Sequence, residues 1–311
     1  MMHPLAELLN PYVITAKQNG PRVLFTAGVH GDEYEPMLAA VGLADTISEK
    51  LKAGSVTIVP LVNPGAYRMG TRFGADGLDL ARICPGRVDG SESERAAAQI
   101  SDLIRNSDYY VDLHTGGKQL EIFPLSGYML HDSADIIKKQ RQMAEAFNLP
   151  VIWGTDKSLE GRTLSVARDA GVPAIYVEYG GGESVCKEII NSYVLGCIRL
   201  LNQLGMTDEK DRIEPRPKYW VEDYRPGNGH LQTKMPAPSD GLFVPEVCLG
   251  DRVSSEQTWG FIHCLEDGSR KEIKSEASGI VLFLRKSARV KKGDSLGGTL
   301  PISSPGKITI P

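Results

Sequence analysis

An α/β fold, with a mainly parallel mixed sheet and helices on both faces, is predicted by three observations. Apolar β-type runs alternate with helical periodicity over residues 22–205. Several of those runs stop at glycine-bearing turns, as strands of open α/β sheets do at their ligand-binding edge. From about residue 221 onward the helical periodicity ends and short β-type runs with many Gly and Pro take over. This adds a C-terminal all-β barrel or sandwich.

The elements follow in order. Tyr12 to Thr15 is a short lead-in strand, and the run from Arg22 to Ala27 is a buried strand. A helix covers about 35–52, and a second strand runs from Ser55 to Val62. Residues 64–91 carry six glycines and the arginines Arg68, Arg72, Arg82 and Arg87. A loop this long inside a compact domain points to function. A helix from Ser93 to about 106 leads to the strand Asp108 to Leu113, with residues 119–124 pairing beside it. Helices over 132–147 and 164–170, a strand at 151–153 and the strand Pro173 to Glu178 come next. The last long helix runs from Glu183 to about Leu204, with Gly205 as its cap. The domains are therefore 1–205 and 221–311, joined by a polar linker over 206–220. In the second domain, Gly241 to Pro245 with Gly250-Asp251 resembles Gly279 to Phe283 with Gly293-Asp294, a weak internal repeat.

Composition narrows the function. The chain has 311 residues, 41% hydrophobic and 24% charged, enough for a real core without staples. A net charge of −4 gives no support for nucleic-acid binding. Five scattered cysteines without a CxxC pair argue against a disulfide framework. No signal peptide pattern and no membrane-length apolar run stand out, so a cytoplasmic protein is expected.

Three strand ends carry the chemistry. The first delivers His30 and Glu33, the third His114, the late one Glu178. Carboxyl ends of parallel strands share one edge, so residues far apart in sequence can meet there. Two histidines and one carboxylate leave zinc an open fourth position, the mark of a catalytic site. A carboxylate outside the ligand set can move the proton. An arginine of the long loop can stabilise an oxyanion, and another can grip a carboxylate. Taken singly, each residue has an ordinary reading as a hydrogen-bonded histidine, a salt-bridged carboxylate or a solvated loop charge. His3, His131, His230 and His263 read as surface or packing residues.

The residues Gly28-Val29-His30-Gly31-Asp32-Glu33, Asn63-Pro64 with Thr71-Arg72, Asp79-Leu80-Ala81-Arg82, Leu113-His114-Thr115 and Glu178 before Gly180-Gly181 match a known pattern. In that order the chain resembles the succinylglutamate desuccinylase/aspartoacylase family, relatives of zinc carboxypeptidases. The resemblance implies one zinc ion per subunit on His30, Glu33 and His114, with Glu178 as general base and acid. It implies Arg72 on the scissile carbonyl, Arg82 on a substrate carboxylate, and Asn63 and Arg162 as further substrate contacts. The family's usual Asn before that carboxylate-binding arginine is here Ala81, which removes a donor. Asp32 is read either as orienting His30 or as shaping the loop. The wording His-Gly-Asp-Glu-Tyr-Glu is closer to the bacterial branch, which includes deacetylases of diaminobutyrate in ectoine breakdown. Residues 221–311 look similar to biotinyl and lipoyl carrier domains. The turn from Leu265 to Lys271 lacks the carrier pattern, so no lipoylation or biotinylation is expected. That region is expected to cover or narrow the cleft, or to contact another subunit of a homo-oligomer. The expected activity is zinc-dependent hydrolysis of the amide bond of a small N-acylated amino acid. The alternative is a metallocarboxypeptidase acting on short peptides.

Overall fold

The computed structural model describes residues 9–208, 219–231 and 234–311. Strands β1 (Tyr12–Thr15) and β2 (Gln18–Thr26) lead to helix α1 (Tyr34–Ile47) and strand β3 (Ala53–Val59). The short helices α2 (Pro64–Met69) and α3 (Leu80–Ile83) precede α4 (Glu92–Arg105), β4 (Tyr109–His114) and β5 (Leu120–Met129). Then follow α5 (Ala134–Phe147), β6 (Val151–Thr155), α6 (Thr163–Ala170), β7 (Ala174–Gly181) and α7 (Lys187–Gln203). The C-terminal part contributes β8 (Tyr219–Asp223), β9 (Gly241–Pro245), β10 (Arg252–Val253), β11 (Thr258–His263) and β12 (Arg270–Lys274). It closes with β13 (Gly279–Arg285), β14 (Arg289–Val290), β15 (Gly297–Leu300) and β16 (Gly306–Ile310).

The main sheet runs in the order β1-β3-β2-β4-β7-β5-β6-β8-β16. The block β3-β2-β4-β7 is parallel, and so is β5-β6-β8-β16. The two blocks meet antiparallel at β7 and β5, and β1 closes one edge antiparallel to β3. Alternation along each strand sorts side chains to two faces. Val23, Phe25, Val111, Leu113, Ile175 and Val177 pack on one face with α1, α5 and α7. Leu24, Tyr110 and Ala174 pack on the other with α4 and α6. The predicted pairing of residues 119–124 beside β4 does not occur. Both neighbours of β4 are parallel strands, β2 and β7, and β5 pairs with β7 instead.

The helix starts have local causes. Ser91 and Glu94 form a reciprocal capping box at α4. Asn63 caps α2 by accepting from the Ala66 amide at 3.1 Å, with Pro64 at the first helical position. The stretch expected to be irregular over 64–91 thus contains α2 and α3. It is pinned by Asp76, whose carboxylate accepts from Ser91 Oγ, the Ser93 amide and Ser93 Oγ at 2.7 to 3.0 Å. Gly31 is needed for a different reason. A Cβ there would stand 2.0 Å from the backbone of Ala66, so only glycine lets the loop after β2 cross α2.

The C-terminal part departs from the expectation. A four-stranded antiparallel sheet, β12-β11-β9-β14, exists, but no barrel is closed among the described residues. The strand β13 pairs with β10 and β15 and also with β5, while β8 and β16 extend the main sheet. The smaller sheet packs over β10, β13 and β15 through a core centred on the fully buried Trp259. The two repeat halves are visible: β9 pairs with β14 of the second half, and β13 with β10 of the first. Asp251 and Asp294 each accept from the amide three residues earlier, at 2.7 and 3.0 Å. Of the predicted linker over 206–220, residues 209–218 lie outside the described residues. Its first residues, Met206 and Thr207, are buried, and Tyr219 already belongs to β8.

A polar lock holds β8 in place. Glu222 is buried, accepts from Arg141 Nε and Nη2 at 2.7 Å each, and accepts from the Tyr128 hydroxyl. Removing one member of a buried ion pair strands the other. Glu222→Ala is expected to destabilise the protein by about 2–4 kcal/mol in denaturant titrations, with Arg141 partly exposed and therefore at the lower end of such losses. Amide exchange should accelerate along β6 and β8. A loss under about 0.5 kcal/mol, the ordinary scatter of surface substitutions, contradicts the lock.

Candidate active site

The carboxyl ends of β2, β4 and β7 place the central residues. Register aligns His114 of β4 with Glu178 of β7. On β4 the period of two puts Asp112 on the same face as His114. The loop after β2 carries His30, and Glu33 sits at the start of α1. Glu33 reaches both histidines: its Oε1 lies 2.7 Å from His30 Nδ1, and its Oε2 lies 2.9 Å from His114 Nδ1. The Thr115 amide donates to the same Oε2 at 3.2 Å. All three side chains are buried, and their potential ligand atoms lie within 4.8 Å of one another.

The outer ring nitrogens also face carboxylates. His30 Nε2 is 3.2 Å from Asp79 Oδ1, and His114 Nε2 is 3.1 Å from Asp112 Oδ2. Asp112 further accepts from Thr26 and Thr163 hydroxyls. Tyr193 donates to the backbone carbonyl of His114, fixing that strand end from the opposite face. Each imidazole is therefore held by an acid behind it with its Nδ1 turned inward, the arrangement that orients metal-binding histidines.

This donor set fits a zinc ion. Burial alone would raise the Glu33 carboxyl, yet the two imidazoles outweigh it and hold the group well below the usual carboxylate range. A buried anion between two inward nitrogens needs positive charge, supplied either by ring protons or by a metal. His114 shows the same need: burial opposes its charged form, but Asp112 and Glu33 raise its pKa well above the ordinary value.

Glu178 behaves differently. Its Oε2 is buried and finds no hydrogen-bond partner in the protein. Burial, only partly offset by His114, pushes its carboxyl up to about 8. The predicted residues Arg72, Arg82 and Arg162 line the same pocket. Arg72 is steered by Asp79, which accepts from its Nε at 3.1 Å and its Nη2 at 3.0 Å, and its Nη1 lies 3.4 Å from His30 Nδ1. Arg162 precedes α6; its Nη2 donates to the Gly229 carbonyl at 3.3 Å, and its Nε is buried without a partner. Burial, reinforced by the neighbouring Arg82, brings Arg162 down to about 10. The other loop arginines lie elsewhere: Arg68 pairs with Glu92 and Arg87 with Asp89, both in exposed settings.

Asn63 is not on the pocket wall. Its carbonyl is taken by the Ala66 amide and its Nδ2 lies 3.4 Å from Ser93 Oγ, so the side chain shapes the loop that carries Arg72. Asp32 does not face His30. It accepts from the Lys118 amide at 3.0 Å and ties the two active-site loops together. Asp79 and Asp112 are the carboxylates behind the histidines, and neither was singled out for that role. Asp112 was open to detection, since two residues before His114 on a strand is the same face. Asp79 acts across 49 positions and leaves no local signal. His230 was read as a surface or packing residue, yet its Nδ1 lies 3.4 Å from Arg162 Nη2, and Gly229 and Leu231 line the pocket. The C-terminal part therefore supplies part of the pocket wall.

Comparison with known proteins agrees with this geometry. Residues 19–204 match the succinylglutamate desuccinylase/aspartoacylase catalytic domain. The succinylglutamate desuccinylase of Pseudomonas paraeruginosa is 35% identical, over 94% of this chain and 88% of that protein. The N-alpha-acetyl-L-2,4-diaminobutyric acid deacetylase of Halomonas elongata is 28% identical, over 92% of this chain and 84% of its own length. Among solved structures, the product-bound ectoine utilization protein EutE (DoeB) of Ruegeria pomeroyi superposes with a TM-score of 0.84 at 25% identity, covering 93% of this chain and 87% of that one. A succinylglutamate desuccinylase/aspartoacylase from Rhodobacter sphaeroides gives 0.83 at 28% identity, covering 94% and 89%. With the catalytic-domain match spanning more than half of its length, the chain belongs to the succinylglutamate desuccinylase/aspartoacylase family of deacylases.

Proposed function

We propose that the protein is a zinc-dependent hydrolase of the amide bond of an N-acylated amino acid. The observation that carries this reading is the buried Glu178 carboxyl, unpartnered at Oε2 and raised to about 8, beside three convergent metal-type donors. His30, Glu33 and His114 would hold the ion. Bound there, zinc would supply a Lewis acid that acidifies a coordinated water, polarises the carbonyl and draws the Glu178 carboxyl down towards neutrality.

The chain's own groups do the rest. Glu178 accepts a proton from the attacking water and returns it to the departing amine. An orphan carboxylate oxygen in a buried pocket is suited to this, because no competing donor occupies it. Arg72 is anchored through Nε and Nη2 by Asp79, leaving Nη1 on the His30 side, where a fixed cation stabilises the oxyanion. Arg82 and Arg162 hold the substrate carboxylate. Asp79 and Asp112 hold the imidazoles in the tautomer that leaves Nδ1 free for the ion.

Glu178→Gln tests the assignment. The variant is expected to keep its zinc and lose about 10²–10⁴-fold in kcat on an N-acyl amino acid. Near-normal turnover by a zinc-loaded variant removes Glu178 from the proton transfers.

Metal affinity should depend on pH with a defined sign. His114 holds its proton above the ordinary histidine range, and a protonated ring cannot ligate. Zinc affinity, read by competition with a chelating dye, should rise with pH by about tenfold per unit for each proton displaced between roughly pH 6 and 8. A flat profile over that interval contradicts ligation by His114.

A further inference from the structure

The chain has three tryptophans, and two of them have their indole N–H groups bonded within the protein. Trp220 Nε1 donates to the Tyr128 hydroxyl at 3.1 Å, and Trp259 Nε1 to the Leu296 carbonyl at 3.3 Å. Trp153 is different. It lines the pocket beside the His30–Glu33–His114 cluster, and its Nε1 is buried with no partner among the described residues. A buried donor left unpaired costs free energy and asks for an explanation. Of the seven unpartnered buried side-chain atoms among the described residues, three belong to this pocket: Trp153 Nε1, Arg162 Nε and Glu178 Oε2. Such clustering at one cleft marks groups kept open for a ligand.

Sheet register places that donor. Gly127 of β5 pairs with Tyr176 of β7 on one side and with Trp153 of β6 on the other, so the three share a face. A Cβ at Gly127 would stand 2.2 Å from the Tyr176 ring. The ring therefore lies across β5 towards β6, where its hydroxyl bonds Thr155. Arg162 is within electrostatic reach of Tyr176 and Glu178. The nearby hydroxyls are already engaged: Thr155 also donates to the Tyr128 carbonyl at 3.3 Å, and Thr163 donates to Asp112. Arg162 has half of its fork taken, since its Nη2 donates to the Gly229 carbonyl. A carboxylate presents two oxygens with about four acceptor sites, and Nε alone fills one of them. Ala81, on the same pocket, offers no side-chain donor. We propose that the Trp153 indole N–H donates to the substrate carboxylate held by Arg82 and Arg162, as the uncharged member of that subsite. The proposal rests on the deacylase reading above. An indole N–H is a donor only. It favours an acceptor oxygen at this place and disfavours an ammonium or a methyl group, which would leave it unpaired.

The test uses whichever of N-acetyl-L-2,4-diaminobutyrate, N-acetyl-L-aspartate and N-succinyl-L-glutamate the zinc-loaded protein hydrolyses fastest, since all of them carry the amino-acid carboxylate. Trp153→Phe keeps an aromatic ring and removes the N–H. It is expected to raise KM for that substrate by about tenfold or more and to leave kcat within about threefold. A KM within about twofold of the parent's overturns the inference and leaves the deacylase reading standing. A second readout needs neither turnover nor a change at Trp153. With the indole nitrogens isotope-labelled, zinc-loaded Glu178→Gln gives one N–H resonance for each of its three tryptophans. The Trp153 resonance is assigned by its loss in Trp153→Phe, or by elimination with Trp220→Phe and Trp259→Phe. Saturation with the same substrate should move it downfield further than the other two, whose bonds within the protein persist. An unmoved Trp153 resonance under saturation contradicts the contact, whatever the kinetics show. Hydrolysis of none of the substrates overturns the deacylase reading, and this inference with it.

Discussion

The Glu33 carboxylate, wedged between His30 and His114, is the interaction on which the site depends. It is a fully buried anion, and it stays ionised only because two imidazoles point at it. Those imidazoles point inward because Asp79 and Asp112 hold their far sides. Asp112 in turn is held by hydroxyls from β2 and from the first turn of α6. The chain of constraints therefore runs from one carboxylate through two rings and two acids into the core. Breaking any outer link would let a ring rotate and leave Glu33 without its counter-charge. Such a buried ionic network costs stability unless fully satisfied, which fits an origin in function rather than in folding.

The sheet makes this network possible. β2, β4 and β7 are adjacent and parallel, so their carboxyl ends arrive at one edge at the same height. The antiparallel step from β7 to β5 then turns the sheet's direction just beside Glu178. That step brings Ile122 and Met129 of β5 to the pocket and gives β13 an edge to pair with. The same reversal thus builds the pocket wall and attaches the C-terminal strands to the main sheet.

Much of this was legible in the sequence, and the misses have physical causes. The strands that deliver His30, His114 and Glu178 are short apolar runs bounded by Gly turns, a local signal that survives without any tertiary knowledge. Metal-type donors at three such ends are informative because a parallel sheet must bring those ends together. The place of β5 was not legible, since pairing partners of a ten-residue strand depend on the neighbours it finds. Asn63 was expected as a substrate contact from the resemblance; its side chain is engaged as the cap of a proline-led helix, a local chemistry that Asn63-Pro64 already carried. His230 lies 116 residues beyond His114, and nothing near it in sequence marks a site. It reaches Arg162 only because β8 joins the main sheet and sets the course of the chain after it. The closed barrel failed for a related reason: alternating β-type runs announce strands but not where their free edges go.

The C-terminal part borders the pocket, in line with one of the two roles expected for it from the sequence. Its strands β8 and β16 are bound into the main sheet, and the segment after β8 places Gly229, His230 and Leu231 over the arginines. Arg162 donates to Gly229 and faces His230, so its position depends on that segment as much as on α6. A guanidinium with a buried, unpartnered Nε and another arginine close by is a cation waiting for an anion. Among the described residues, the segment brings no acid to the pocket wall; it brings a backbone carbonyl, an imidazole and a leucine. On the function proposed above, the negative charge that Arg162 lacks is brought by the substrate carboxylate, at the junction of the two parts of the chain.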